Sequence, residues 1–99
     1  MEGFEWDPIK EERNIRERGI DFTLASRIWG GQVLEKIDDR RDYGETRILA
    51  FGTVDDRLMA VLYTWRGSNR RIISARKANR REQGRFEIEI GNQQRSRPD

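Results

Sequence analysis

A dense block of arginines in the second half of the chain is its most chemically suggestive feature. Residues 66–85 carry eight basic side chains and one acidic one, whereas residues 1–65 carry ten basic and fourteen acidic ones. Of the twenty basic residues in the chain, seventeen are arginine. An arginine stays charged at physiological pH, and its planar guanidinium binds phosphate or carboxylate through paired hydrogen bonds. The block therefore indicates an anionic partner.

The chain contains no histidine and no cysteine. It therefore lacks the most common general base near neutral pH, the most common zinc ligand and every thiolate ligand. Disulfide frameworks are excluded, and we expect neither a metal ion nor another cofactor. Any catalysis would use arginines for charge stabilisation and carboxylates for proton transfer.

The length and composition indicate one small domain. The chain has 99 residues, of which 34% are hydrophobic and 38% are charged, so its core must be thin. The apolar run Leu58–Trp65 nevertheless favours a folded protein over a disordered chain. We assign residues 1–90 to the domain and residues 91–99 to a polar, flexible tail. The acidic N-terminus lacks the apolar stretch of a signal peptide, and no apolar run approaches the ~20 residues of a membrane helix, so we expect a cytoplasmic protein.

Local signals predict two helices near the N-terminus. Asp7 is a capping residue followed by a proline, which indicates a helix over Pro8–Arg18 that ends at Gly19. Asp21 is expected to cap a second helix, Phe22–Trp29, whose apolar residues recur with the helical period. The short segment before Asp7 is expected to be extended.

The middle of the chain has the apolar alternation of β-strands, and a helical pattern follows it. The predicted elements are the strands Val33–Ile37, Arg47–Val54, Leu58–Arg66 and Arg70–Ala75 and the helix Arg76–Glu87. The dipeptide Asp55–Asp56 is typical of a hairpin turn. The predicted fold class is α+β, with two N-terminal helices, an antiparallel β-meander sheet and a C-terminal helix.

These elements place several basic side chains where they can act together. Arg47, Arg66 and Arg76 lie on neighbouring strands or at their ends, so they are candidates to bind one phosphate. On the C-terminal helix, the spacing of Lys77 and Arg81, continued by Arg85, predicts one basic stripe.

The aromatic residues have two interpretations. Trp65 alternates with Val61 and Tyr63, which predicts that it faces the core, and Trp29 is expected to be core as well. Tyr63 is expected to be buried with its hydroxyl hydrogen-bonded. If Trp6 or Trp65 were exposed, either indole would offer a surface on which the bases of single-stranded RNA stack.

Three stretches of the sequence together resemble a known protein family. They are Phe4–Pro8 with Asn14 and Gly19–Phe22, then Gly44–Arg47 with Phe51–Gly52, and finally Tyr63–Arg66 with Arg71–Ala78 and Arg81–Glu82. In this order, and over residues 4–87, they are similar to the BrnT toxins of bacterial type II toxin–antitoxin modules. The third stretch is the most specific of them.

The resemblance implies a RelE-like fold and metal-independent cleavage of RNA. It also implies a BrnA-like ribbon-helix-helix antitoxin, which inhibits the toxin and through which the pair binds operator DNA. The resemblance favours Arg66 and Arg76 as catalytic residues. The complete predicted site is Arg66, Arg76, Arg47, Glu17 and Arg18 for catalysis and Trp6, Arg70, Arg71, Lys77 and Arg81 for contacts with RNA.

The chain departs from the family where proton-transfer groups are expected. Glu17 and Arg18 replace a Lys-His pair, and Trp65 replaces a glutamate. Arg18 stays protonated and cannot act as a base, so the carboxylate candidates are Glu17 and Glu45. The position of Glu45, two residues before an arginine, also predicts a structural ion pair.

Two other functions remain open. A catalytically impaired toxin homologue would serve as antitoxin-binding partner and transcriptional co-repressor, and the two departures favour it. A free-standing DNA-binding protein is the third hypothesis, but the sequence has no helix-turn-helix or zinc-finger pattern.

Overall fold

The computed structural model describes residues 3–95, and the side chains to residue 93. These residues form an α+β fold, in which helices accompany one five-stranded mixed sheet. In chain order the elements are β1 (Phe4–Trp6), α1 (Pro8–Arg18), α2 (Phe22–Ser26), a 3₁₀ turn (Arg27–Gly30), β2 (Val33–Asp38), β3 (Arg47–Val54), β4 (Arg57–Arg66), β5 (Asn69–Lys77) and α3 (Arg80–Arg95).

The two N-terminal helices begin where their capping residues predict. The Asp7 carboxylate accepts a hydrogen bond from the Ile9 amide at 2.9 Å, and α1 ends at Gly19, whose φ of 71° is left-handed. The Asp21 carboxylate caps α2 through the Leu24 amide at 2.6 Å. The second helix is shorter than predicted, because after Ser26 the chain tightens into the 3₁₀ turn, a common way for a helix to end.

The sheet contains the predicted antiparallel meander and one additional strand. Its strand order is β1-β5-β4-β3-β2, and the β3–β4 hairpin turns at Asp55 and Asp56, whose φ angles are 51° and 64°. Two positive φ angles are characteristic of the tight turns that match the twist of a hairpin. The segment Phe4–Trp6 pairs with β5 in parallel, which makes the sheet mixed instead of purely antiparallel.

One face of the sheet, which we call the covered face, packs against α1, α2 and the 3₁₀ turn. Its core includes Phe22, Ile28, Val61, Tyr63 and Ile72, none of which is measurably exposed. The 3₁₀ turn lies directly on β3. A Cβ atom added at position 52 would come within 2.7 Å of the Ile28 Cβ.

The opposite face carries most of the arginines of the sheet, and we call it the arginine face. Strand residues point alternately to the two faces, so the register places Arg47, Thr64 and Arg71 in one row across β3, β4 and β5. The same alternation places Arg66 and Arg76 on this face. The N-terminal part of α3 lies beside the far end of the same face, where Phe86 borders a cavity with Leu34 and Phe51.

The predicted boundary of the C-terminal helix is wrong. Strand β5 continues to Lys77, which pairs with Met59, and α3 begins only at Arg80. A capping box fixes this start: the Glu82 amide donates to Asn79 Oδ1 at 2.8 Å, and the Asn79 amide donates to Glu82 Oε1 at 2.9 Å.

The predicted basic stripe is therefore also wrong, because Lys77 lies on a strand and only Arg81 and Arg85 lie on α3. The helix passes the predicted end at Glu87 and runs to Arg95. Residues 91–95 of the predicted tail thus continue α3, and residues 96–99 lie outside the described part of the chain.

The expectation that Trp65 is a core residue is wrong. Its side chain lies on the covered face with Tyr63, as the alternation predicts, but the residue is 46% exposed. The indole packs edge-on against the Tyr63 ring and keeps an exposed surface. Trp29 is partly buried against the core.

No helix among residues 3–95 is both long and apolar enough to cross a membrane.

Candidate functional site

The strand ends bring four arginines to one end of the sheet, where β3 and β5 begin and β4 ends. We call this region the arginine end and define it by Arg47, Arg66, Arg70 and Arg71. In the sheet, Arg71 lies opposite Thr64 and Arg70 lies opposite Trp65. Arg70 therefore points to the covered face and the other three to the arginine face.

Two of these arginines are held by carboxylates of the same chain. Arg47 Nε donates to Glu45 Oε2 at 3.0 Å, which confirms the predicted ion pair, and its guanidinium lies 4.1 Å from the centre of the Tyr43 ring. Arg71 donates to Glu5 Oε2 at 2.7 Å. Hydrogen bonds from Asn69 and Arg71 hold the pKa of the Glu5 carboxyl below its usual value. Both guanidinium groups are thus oriented and partly neutralised.

Arg66 differs from these two arginines because no carboxylate of residues 3–95 lies within ion-pair distance of it. The residue is exposed at the last position of β4. The electrostatic attraction between Arg66 and Glu5 contributes to the lowered pKa of the Glu5 carboxyl. Arg66 therefore retains its hydrogen-bond donors for a ligand from outside the chain.

Arg76 does not join the arginine end. It lies opposite Ala60 in the sheet, and its two terminal nitrogens donate to the two carboxylate oxygens of Glu82 at 2.8 and 2.9 Å. This paired contact lowers the pKa of Glu82 to about 2, chiefly through the hydrogen bond from Arg76. Arg76 thus connects the sheet to the first turn of α3 and is not free to bind an anion in this arrangement.

The other predicted catalytic residues, Glu17 and Arg18, lie at the C-terminal end of α1. Both are exposed, and they border a shallow cavity with Ile73 and Ser74 in the middle of β5. Asn14 of the same helix is buried, and its side chain bonds to the backbone of Ala75 in both directions, at 3.0 and 3.1 Å. This double contact fixes α1 against β5 and thereby positions Glu17 and Arg18.

The predicted RNA-binding residues are spread over the molecule. Trp6 is half-buried: its indole N–H donates to Glu11 Oε1 at 3.1 Å, and its ring packs edge-on against Phe22. Lys77 and Arg81 are exposed, at the end of β5 and the start of α3 respectively. Of the predicted set, only Arg70 and Arg71 lie at the arginine end.

A cluster on the covered face joins Arg70 to three aromatic rings. Its guanidinium carbon lies 4.7 Å from the Trp29 ring centre and 4.7 Å from that of Trp65, and 5.5 Å from that of Tyr63. The Tyr63 hydroxyl donates to Glu35 Oε2 at 2.8 Å, which confirms the prediction for this tyrosine. Burial and the contact with Glu35 raise the pKa of Tyr63.

Glu35 is a residue of this cluster that the sequence did not single out. The register places it opposite Ala50, and no motif marks it. The only available signal was its position in the predicted strand Val33–Ile37, on the same face as Val33. Among the described residues, no group of three or more carboxylate, histidine or cysteine side chains is arranged to hold a metal ion.

The fold and the arginine end define a small α+β protein with a cluster of arginines at one end of its sheet. Residues 6–82 match the family described as ribonuclease toxin, BrnT, of type II toxin–antitoxin systems. The match covers most of the chain, so the protein belongs to the BrnT family. No curated protein matches it.

Proposed function

We propose that this protein is a metal-independent endoribonuclease toxin that a BrnA-like ribbon-helix-helix antitoxin neutralises. It would have a RelE-like fold and act on RNA in the bacterial cytoplasm. The observation that carries the proposal is the exposed Arg66 at the arginine end, which has no carboxylate partner among residues 3–95 and follows the exposed Trp65 at the end of β4. Membership in the BrnT family supports the reaction class.

Cleavage of RNA without a metal ion has three requirements. The 2′-hydroxyl loses its proton, the negative charge of the phosphorane is stabilised, and the 5′-oxygen leaves. Donors that already point at the developing charge make the largest contribution in many enzymes, and arginine is well suited to this task. We assign part of this contribution to Arg66, the arginine with no carboxylate partner at the arginine face, and Arg47 and Arg71 would bind neighbouring phosphates once RNA displaces Glu45 and Glu5.

Arg76 and Glu17 have supporting roles in this proposal. The paired contact of Arg76 with Glu82 favours a structural role unless RNA displaces the carboxylate. Arg18, with Lys77 and Arg81, would extend the phosphate-contact surface along β5 and α3, and the Glu17 carboxylate would accept hydrogen bonds from ribose hydroxyls or base amino groups there. Trp6 is packed against Phe22, so it contributes to RNA binding by supporting β1.

The test is cleavage of a single-stranded RNA by antitoxin-free protein in the presence of EDTA. We expect products ending in a 2′,3′-cyclic phosphate, and no cleavage where the attacking ribose lacks its 2′-hydroxyl. Replacing Arg66 by Ala should lower the rate by about tenfold or more, less than the loss of a preorganised donor, because no contact orients this guanidinium before RNA binds. The matched control is Arg57→Ala, since Arg57 is exposed at the opposite end of the same strand.

A folded protein, judged by circular dichroism, that leaves RNA intact under these conditions would overturn the proposal. Equal losses in the Arg66 and Arg57 variants would overturn the assignment of Arg66 alone.

One observation favours a second candidate function. Arg47, Arg71 and Arg76 are each neutralised by a carboxylate, which suits a homologue that binds its antitoxin and acts as co-repressor without cleaving RNA. Expression without the antitoxin separates the two functions. Normal growth with intact transcripts supports the co-repressor, whereas growth arrest with shortened transcripts supports the ribonuclease.

A further inference from the structure

We propose that Glu35 is the proton acceptor of the cleavage reaction and that Arg70, held between Trp29 and Trp65, stabilises the reacting phosphate. The inference rests on the proposed ribonuclease function and assigns to it a base, because the carboxylates beside the arginine end, Glu5 and Glu45, each already bind an arginine. Its basis is the cluster at the exposed end of the covered face.

Glu35 has the contacts of an oriented, accessible carboxylate. The residue is exposed, and one oxygen, Oε2, accepts from the Tyr63 hydroxyl at 2.8 Å and from the Trp29 indole at 3.4 Å. Both donors belong to partly or fully buried residues, so they fix the direction of the carboxylate. Among the described residues nothing engages Oε1, which is therefore the oxygen that accepts the proton.

Arg70 has the surroundings of a cation that is positioned but not neutralised. Aromatic faces hold its guanidinium at 4.7 Å on two sides, and no carboxylate of residues 3–95 forms an ion pair with it. Its Nε is buried without a hydrogen-bond partner. A buried donor without a partner is costly to the fold, and a phosphate oxygen bound at this guanidinium would offset part of that cost.

Trp65 completes the cluster as a surface for a base. The residue is 46% exposed, and its ring is fixed edge-on against Tyr63 at a centroid distance of 5.7 Å. Stacking of a nucleobase on such an indole contributes to binding without selecting a sequence. A base on Trp65 would bring its phosphate next to Arg70.

The reaction is balanced with these groups and water. Glu35 takes the proton of the 2′-hydroxyl while the 2′-oxygen forms a bond to phosphorus and the bond from phosphorus to the 5′-oxygen breaks. Water protonates the departing 5′-oxygen, and Glu35 later returns its proton to water. Arg70 stabilises the charge on the non-bridging oxygens. The products are a 2′,3′-cyclic phosphate and a 5′-hydroxyl end.

The test compares Glu35→Gln with the wild type over a range of pH, using the same RNA in EDTA. Glutamine keeps the size of the side chain and an oxygen for Tyr63, but it cannot accept the proton. We expect the rate to fall 10²- to 10⁴-fold and the acidic limb of the pH–rate profile to disappear. The matched control, Glu87→Gln, removes an exposed carboxylate from α3 and should cleave like the wild type.

A second variant, Tyr63→Phe, separates catalysis from structural support. It removes one of the two donors that orient the Glu35 carboxylate, so the rate should fall by less than in Glu35→Gln, and the acidic limb that Glu35→Gln abolishes should remain. The conservative change Arg70→Lys keeps the charge but loses the planar stack, and we expect at least a tenfold loss of rate.

The outcomes distinguish this inference from the proposed function. If the wild type cleaves and folded Glu35→Gln cleaves equally well, Glu35 is not the base, although the protein remains a ribonuclease. A folded Tyr63→Phe variant that cleaves as fast as the wild type would also count against the role of the oriented Glu35 carboxylate. If the wild type itself leaves RNA intact, the proposed function and this inference both fail.

Discussion

The four arginines of the arginine end, together with Arg76, fall into two chemical groups that the sequence does not separate. Arg47, Arg71 and Arg76 each donate to a carboxylate within the chain, whereas Arg66 and Arg70 have no such partner among the described residues. A guanidinium that already binds a carboxylate must exchange that contact for a phosphate, so its net contribution to RNA binding is small. The two unpaired arginines are therefore the stronger candidates for a catalytic role.

The contact between Arg76 and Glu82 makes a prediction about stability. Replacing Glu82 by Gln weakens both the ion pair and the capping box, and we expect a loss of about 1–2 kcal/mol in the free energy of unfolding at pH 7. The folded pKa of Glu82 is lowered to about 2 from 4.5. Its stabilising contribution is thus complete above pH 4.5 and is lost as the pH falls towards 2.

Urea unfolding of the wild type and Glu82→Gln at several pH values measures this effect. The difference in stability between the two proteins should shrink steadily below pH 4.5. Glu87→Gln, on the same helix, serves as the control and should show no such trend. A difference that stays constant with pH would mean that the ionised Glu82 is not what stabilises the start of α3.

At the scale of elements, two glycines have opposite consequences when they are replaced by alanine. A Cβ at Gly52 would lie 2.7 Å from the Cβ of Ile28, which is fully buried, so either the 3₁₀ turn or β3 must shift. We expect Gly52→Ala to cost about 1–3 kcal/mol of stability. Gly84 lies within α3 with nothing within 4 Å, and alanine there should add up to ~1 kcal/mol.

Thermal unfolding followed by circular dichroism tests both substitutions in one experiment. The melting temperature should fall for Gly52→Ala and rise for Gly84→Ala. A neutral Gly52→Ala variant would show that the 3₁₀ turn is not packed tightly on β3.

Elements that depend on local signals were predicted well, and those that depend on distant contacts were not. Asp7 and Asp21 cap their helices through nearby amides, so the starts of α1 and α2 could be predicted from a few residues. The boundary between β5 and α3 could not, because Lys77 remains in the sheet by pairing with Met59 of another strand.

In the candidate site, too, local signals predicted some features, whereas contacts between distant strands could not be predicted. The strand pattern predicted that Arg47 and Arg66 would lie at one end of the sheet, since both are strand-terminal residues. It did not predict that Glu35 meets Tyr63, because this contact depends on β2 lying two strands away from β4. The exposure of Trp65 likewise depends on how far the covering helices extend, which its own alternation cannot indicate.

On the scale of the whole molecule, the small net charge conceals a strongly uneven distribution. The chain as a whole has a formal charge of +2, yet its arginines cluster in residues 66–85, which form the end of β4, all of β5 and the start of α3. The β4–β5 hairpin brings Arg66, Arg70 and Arg71 to one end of the sheet. A single strand of RNA bound there releases counterions from each phosphate that an arginine neutralises.

This distribution predicts the salt dependence of binding. The affinity for a single-stranded oligonucleotide lacking 2′-hydroxyl groups, which is bound but not cut, should fall as salt rises. For single strands, each phosphate contact contributes a slope of about 0.7 in the logarithm of affinity against the logarithm of salt concentration. Arg66→Gln should reduce the slope by about this amount, because the exposed, unpaired guanidinium makes one full contact.

A comparison of paired and unpaired arginines makes the salt-dependence test more specific. Arg71→Gln should reduce the slope less than Arg66→Gln does, because Arg71 must first release Glu5, so that part of its charge is already neutralised in the free protein. Arg57→Gln, at the opposite end of β4, should leave the slope unchanged. Fluorescence anisotropy of a labelled oligonucleotide at several salt concentrations gives all three slopes. Equal reductions at Arg57 and Arg66 would show that binding follows the overall charge of the protein and not the arginine end.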